Sequence, residues 1–175
     1  MSNVPVLETD RLRLRPLIDA DAEALHPSFA DVDLMHWWSR PPHETVEETR
    51  ADLARVSPDW RRWIITLRDS DTAIGFVAVG EKRQGEVMEL GYILARAHWG
   101  RGVAHEAVAR VIDHLFAEGN RRIFADTDPE NAGSNALLER LGFTLEGRLR
   151  GEWETHIGVR DSFIWGLLAD EWKAR

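Results

Sequence analysis

The sequence predicts a mixed α/β fold, and three observations carry that prediction. Short runs with period-two or continuous apolar patterning recur along the chain and read as strands. The stretch 104–116 repeats apolar residues at helical spacing. Strands and helices follow one another with no linker, internal repeat or low-complexity segment between them. A length of 175 residues points to one domain over 1–175, long enough to bury a full core without staples.

Residues 6–15 alternate Leu12 and Leu14 with Arg11, Arg13 and Arg15, which predicts a strand with one buried face, ended by Pro16. Asp19 is placed to cap a short helix carrying Ala22, Ala24 and Leu25. The segment 31–42 holds Met35-His36-Trp37-Trp38 and closes on Pro41-Pro42, so it reads as irregular and partly apolar. Thr45 and Glu48 form a capping box, predicting a helix over 45–56 that Pro58 breaks. Strand-like runs follow at 63–67 and 72–79, joined by Asp69-Ser70-Asp71, and again at 87–94 after Gln84-Gly85. Together they predict an antiparallel meander.

The clearest helix comes next. Ala104, Ala107, Val108, Val111, Ile112, Leu115 and Phe116 make one stripe, and Gly119-Asn120 supplies the stop. A short strand at 123–125 precedes a helix at 132–141 with Leu137, Leu138 and Leu141 inward and Gly142 at its end. Strands at 143–145 and 162–168 complete the order β-α-α-β-β-β-α-β-α-β-β.

Composition removes several function classes. Twenty-two basic residues against thirty acidic ones leave a net charge of −8, the wrong sign for a broad nucleic-acid footprint. There is no cysteine, which excludes a disulfide framework, a thiolate metal site and any covalent thiol mechanism. The seven histidines show no compact ligand spacing, so no metal is expected. The opening residues lack the basic and apolar regions of a signal peptide, and no apolar run approaches the ~18 residues of a membrane span. The expectation is a cytoplasmic protein with no membrane partner.

Chemistry concentrates where the strand 87–94 runs through Ala95-Arg96-Ala97-His98 into Trp99-Gly100-Arg101-Gly102-Val103-Ala104. Two glycines at a strand-to-helix turn let the backbone approach a ligand closely and aim successive N–H groups outward. At a helix N-terminus those donors favour an anion such as pyrophosphate. Position 105 is His where a GxGxxG third glycine would stand, and no Gly-Lys-Ser/Thr follows. These residues alone leave open a glycine turn that merely starts a helix. Downstream, Asn131 and Ser134 open another helix, either as caps or as an amide and a hydroxyl facing one bound chain.

The blocks MELGYIL, WGRGVA and ENAGSNALLERLGF resemble the GNAT superfamily of acyl-CoA-dependent N-acetyltransferases. LETDRLRLRP and EGRLRGEWETHIGVRDSFIWGLL are similar to the RimJ/RimL-like branch, and the resemblance covers essentially the whole chain in order. Trp99 stands where the wider superfamily carries Gln or Arg, in a branch that often has an aromatic there. The resemblance implies a GNAT-like α/β fold, a mixed, mostly antiparallel central sheet flanked by helices. It implies acetyl-CoA as cosubstrate, its pantetheine beside Ile93 and Leu94 and its pyrophosphate on the N–H groups of Gly100 to Ala104, with Arg101 as a charged helper. Asn131 would touch the pantetheine and Ser134 would lie near the thiol.

For catalysis the resemblance offers Glu152, Glu89 and Asp126 as bases and Ser134 as acid. The acceptor would be a primary amine, a peptide N-terminus or a small molecule, walled by Met35, Trp37, Trp38 and Trp153, with Trp60 and Trp63 in a corresponding region. Arg50, Arg55, Arg61 and Arg62 read most simply as solvated surface. Members of this branch are often homodimers. The alternatives are a non-catalytic acyl-CoA-binding module, a transferase of another acyl group such as succinyl, and a plain interaction domain.

Overall fold

The computed structural model describes residues 4–55, 59–83 and 85–173. Val56, Pro58 and Gln84, which enter the expectations above, lie outside the described residues, as do residues 1–3. Strands β1 (Leu7–Glu8) and β2 (Leu12–Arg15) precede helices α1 (Asp21–Phe29), α2 (Val32–Met35) and α3 (Val46–Ala54). Strands β3 (Trp60–Leu67), β4 (Gly75–Arg83) and β5 (Val87–Leu94) lead through a 3-10 turn at 96–98 into α4 (Val103–Ala117). Strand β6 (Arg122–Thr127), α5 (Ala132–Arg140), β7 (Thr144–Thr155), β8 (Gly158–Leu168) and α6 (Ala169–Lys173) follow.

The strands form a sheet of eight in the order β1-β2-β3-β4-β5-β6-β8-β7. Every neighbouring pair is antiparallel except β5 and β6, which run parallel and are joined through α4. Because side chains alternate across a strand, the sheet has two cores. Trp63, Ile65, Val77, Val79 and Leu90 pack with Val108, Val111, Ile112 and Leu115 of α4 and with Leu137 and Leu138 of α5. Ile64, Phe76 and Ile93 face the other way, against Leu25 and Phe29 of α1, Leu34 and Met35 of α2 and Leu53 of α3.

Local expectations fare differently. The α4 stripe is buried from Ala107 to Leu115, with Ala104 and Phe116 half-buried at its ends, and its stop is built as anticipated: Gly119 takes φ +95° and Asn120 Nδ2 donates to the Leu115 carbonyl at 2.8 Å. At α3, Thr45 Oγ1 accepts from the Glu48 N–H, while the Glu48 carboxylate reaches back to the Glu44 N–H rather than to Thr45.

The single strand expected over 6–15 is two. Thr9 turns the chain, its hydroxyl accepting from the Leu12 N–H, so that Leu7 pairs with Leu14. Arg15 is buried, not solvated, because Asp21 takes its guanidinium bidentately at 2.8 Å and Asp71 takes Nε at 2.7 Å. Asp19 does not cap α1; the Asp21 carboxylate instead accepts the Ile18 N–H at 2.8 Å. The segment read as irregular contains one helical turn, α2, capped by Asp31. The strands expected at 143–145 and 162–168 are the ends of a long hairpin, β7–β8. Its outer strand is almost wholly exposed, so no apolar alternation announces it.

Candidate active site

The site begins where two parallel strands part. β5 and β6 pair only at Val87↔Arg122, Met88↔Ile123 and Glu89↔Phe124. Beyond Glu89, β5 stays with β4 as far as Leu94↔Gly75, while β6 stays with β8 as far as Thr127↔Phe163. Each strand keeps its outer partner and loses its inner one, which opens a split in mid-sheet.

A cavity of about 970 Å³ lies on the side where β5 enters α4, lined by Ile93, Leu94, Trp99, Gly100, Gly102, Val103, Ala104 and the start of α5. Gly100 and Gly102 take φ +70° and +73°, the left-handed region that L side chains adopt only with strain. The N–H groups of Gly100 to Ala104 donate to no protein acceptor among the described residues, as expected for donors at a helix start. A Cβ at Gly100 would meet nothing within 4 Å, so the backbone there is open to approach.

Trp99 has two roles in holding this turn. Its Nε1 donates to the Leu94 carbonyl at 2.7 Å, and the Arg96 guanidinium sits 5.2 Å from its ring centroid. The Leu94 carbonyl therefore already accepts the indole N–H. Arg96 also pairs with Asp31 at 2.6 Å, tying the turn to the cap of α2. Arg101 lines neither cavity; its side chain is exposed and its carbonyl accepts from Arg11.

A second cavity of about 500 Å³ opens on the α1–α3 face of the split. The two share Trp37, Trp38, Tyr92, Asn131 and Ser134. Asn131 caps α5, its Oδ1 accepting the Ser134 N–H at 3.2 Å. Glu89 and Asp126 line the second cavity from the two sides of the split. Asp126 Oδ2 accepts from Trp153 Nε1 at 2.6 Å.

Several expected residues are not brought to the site. Met35 is fully buried against α1 and the sheet, and lines neither cavity. Trp63 is core, its Nε1 donating to the Pro5 carbonyl, whereas Trp60 three residues earlier lines the cavity. Glu152 is exposed and lines neither cavity. Trp153, next in sequence, turns toward Asp126 and lines the second cavity, on a stretch where the β7–β8 register is interrupted between Leu149 and Trp153. Arg62 is half-buried rather than solvated, its guanidinium 4.9 Å from the Phe76 ring centroid.

Tyr92 is the main residue the sequence reading passed over. As the sole tyrosine, inside the strand that leads to the glycine turn, it was visible but carried no spacing signal. Burial pushes its hydroxyl up to about 12, a shift that its contact with Ser134 only partly offsets. It stays protonated across the neutral range.

The far wall is held by ion pairs. Arg160 bonds Asp128 at 2.7 and 3.1 Å and Glu130 at 2.7 Å. Burial alone would raise Asp128, but the Arg160 guanidinium and the Glu130 N–H outweigh it and hold the carboxyl below its usual range. A carboxylate whose folded value is depressed stabilises the fold above its unfolded value of ~3.9 and loses that contribution as pH falls through the folded value. Arg160→Gln is therefore expected to move the Asp128 titration upward in NMR and to flatten the acid limb of the stability curve. An unmoved Asp128 midpoint would show that the pair does not set it.

A family model described as an acetyltransferase (GNAT) domain matches residues 11–144. The uncharacterized N-acetyltransferase YoaA of Bacillus subtilis (strain 168) is 34% identical over 155 residues, covering 83% of this chain and 86% of the relative. A probable GNAT-family acetyltransferase from Chromobacterium violaceum superposes with a TM-score of 0.90 at 27% identity, covering 98% of this chain and 91% of the other. Mycobacterium smegmatis RimJ, solved in complex with CoA-disulfide, superposes with a TM-score of 0.79 at 27% identity over 91% of this chain and 83% of its own. With the split parallel pair, the glycine turn and the eight-stranded sheet, these likenesses make the chain a member of the GNAT acetyltransferase family and an acyltransferase.

Proposed function

We propose that this enzyme transfers the acetyl group of acetyl-CoA to a primary amine by direct attack in a ternary complex. The observation that carries the reading is the meeting of two cavities at the β5–β6 split, one beside a row of unpaired backbone donors and one beside two carboxylates. The donors at Gly100 to Ala104 fit a pyrophosphate, and Asn131 and the buried side chains of Ile93 and Leu94 fit a pantetheine arm. When bound, acetyl-CoA supplies an activated acyl thioester. Without cysteine no acyl-thioester of the enzyme forms, so the amine itself is the nucleophile.

The chain's own groups then move two protons. Glu89 takes the proton from the incoming ammonium and Asp126 holds that ammonium in place. An α-amino group has a pKa of ~7.7–8.0, so the base needs only modest strength. At the other end, the Tyr92 hydroxyl or Ser134 Oγ delivers a proton to the departing sulfur, and the second proton that the nitrogen sheds as the amide forms restores that acid through solvent. Both residues line the two cavities, and Tyr92 is favoured because a phenol is a stronger acid than an aliphatic alcohol. Tyr92→Phe is expected to lower kcat by about tenfold to a hundredfold with acetyl-CoA binding unchanged. A larger kcat loss for Ser134→Ala than for Tyr92→Phe would return the role to the serine.

The test of the function is release of free thiol from acetyl-CoA with a panel of primary amines, read against succinyl-CoA. Amine-dependent release supports it. Tight CoA binding with no release for any amine would make the chain a binding module instead.

A further inference from the structure

The second cavity has opposite electrical poles. Glu89 and Asp126 stand at the split, whereas Arg62 and Arg55 stand at the end toward α3. Cross-strand register fixes the arrangement: Arg62 lies opposite Ala78, which lies opposite Gly91. These residues share one face of the sheet, so the floor between Arg62 and the split is a methyl group and a bare glycine. A Cβ at Gly91 would meet nothing within 4 Å, which marks the open space above that floor. Two strand spacings of ~4.8 Å separate Arg62 from Gly91 along the floor.

Arg62 is incompletely satisfied by the protein. One Nη donates to the Leu53 carbonyl at 2.8 Å, and Nε is buried with no hydrogen-bond partner among the described residues. The nearby carboxylate, Asp52, is bonded by Arg40 through its Oδ1, while its Oδ2 is buried with no hydrogen-bond partner among the described residues. Two guanidiniums therefore stand around one carboxylate, and Arg55 adds a further cation to the same wall, with no ion pair among the described residues. Stacking on Phe76 fixes the Arg62 plane. Burial holds its basicity below that of an ordinary arginine, Asp52 compensating only in part and Arg40 lowering it further. A half-buried guanidinium with spare donors is matched by a planar anion, which accepts two N–H bonds and supplies the missing charge.

We infer that the acceptor amine carries a carboxylate or similar anion at its far end, which Arg62 receives while the amine lies at Glu89 and Asp126. The inference rests on the acetyl-transfer reading and narrows its substrate from any primary amine to a zwitterionic one. A polyamine or plain alkylamine would place a cation or a methyl group against Arg62. The anion can belong to a free amino acid or to an acidic side chain near a peptide N-terminus.

The experiment compares linear ω-amino acids, from glycine to aminohexanoate, with their carboxamides as acceptors in thiol release. Short peptides with Glu or Gln in second place form the second arm and distinguish a peptide-borne anion from a free one. In at least one arm the acid is expected to exceed its amide by about tenfold or more in kcat/KM. Arg62→Gln should erase that ratio and Arg62→Lys should restore part of it, both with the acetyl-CoA KM within about twofold of wild type. Equal use of acid and amide by the wild type overturns the inference and leaves acetyl transfer standing, as does a ratio that survives in folded Arg62→Gln. The wild-type ratio needs no variant, so an unfolded Arg62→Gln does not remove the test. If no amine in either arm releases thiol, the acetyl-transfer reading fails for these amines. Calorimetric titration of the same acids and peptides into the CoA-bound protein then decides the subsite: acid-over-amide binding lost in Arg62→Gln upholds it, and its absence overturns it.

Discussion

Glu89→Gln is expected to lower kcat for the preferred amine by about a hundredfold, close to 2.7 kcal/mol of transition-state stabilisation. Glu89 is the last residue at which β5 still pairs with β6, so its backbone is held on both sides just before the strands part. It lines the second cavity, whereas Glu152 lies exposed on the outer hairpin strand. The loss should shrink as pH rises past ~8, because the amine then arrives already deprotonated. CoA affinity should not change. Glu152→Gln should stay within about twofold of wild type, as exposed substitutions away from a site usually do. The reverse pattern, with Glu152→Gln crippled and Glu89→Gln active at pH 7, would place the base on the hairpin and show that the cavity wall is not where the proton goes. Asp126→Asn separates the two carboxylates further: a raised amine KM with little change in kcat is the signature of holding the ammonium rather than taking its proton.

Gly102→Val is expected to weaken CoA binding by at least about tenfold, or ~1.4 kcal/mol. The residue sits at φ +73° as the cap of α4, a conformation closed to a β-branched side chain. Either the backbone keeps that angle at a cost of about 1–3 kcal/mol, or it rotates and turns the N–H groups away from the ligand. A new Cβ would also stand 3.5 Å from Arg11 Nη2, an arm that holds Glu106 and the Arg101 carbonyl. Calorimetry with CoA reads the affinity, and thermal melting reads the strain separately. Full affinity in the variant would show that the backbone donors of this turn are not the cofactor cradle.

Local chemistry was legible in the sequence. The apolar spacing of α4 names its buried face because helical periodicity is a property of consecutive residues and needs no partner. The paired glycines announce a tight turn, since only a residue without Cβ takes φ near +70° freely, but by themselves they leave open whether that turn holds an anion or only starts a helix. The lack of cysteine limits the mechanism at once.

Choices between near neighbours were decided only by tertiary structure. Trp60 lines a cavity and Trp63 is core; Trp37 and Trp38 line both cavities and Met35 lines none. Glu152 and Trp153 are adjacent, yet only Trp153 lines a cavity. In each case composition is equal or similar, and the outcome turns on which face of a strand or turn the residue occupies. That face is set by register with strands distant in the chain. Arg62 shows the same dependence most sharply. On its own it reads as a solvated charge beside another arginine, and only its registration opposite Ala78 and Gly91, under Phe76, makes it the wall of a cavity. The side chains supply the chemistry, but the parting of β5 from β6 decides which of them meet, because that split arises from long-range pairing that no local spacing encodes.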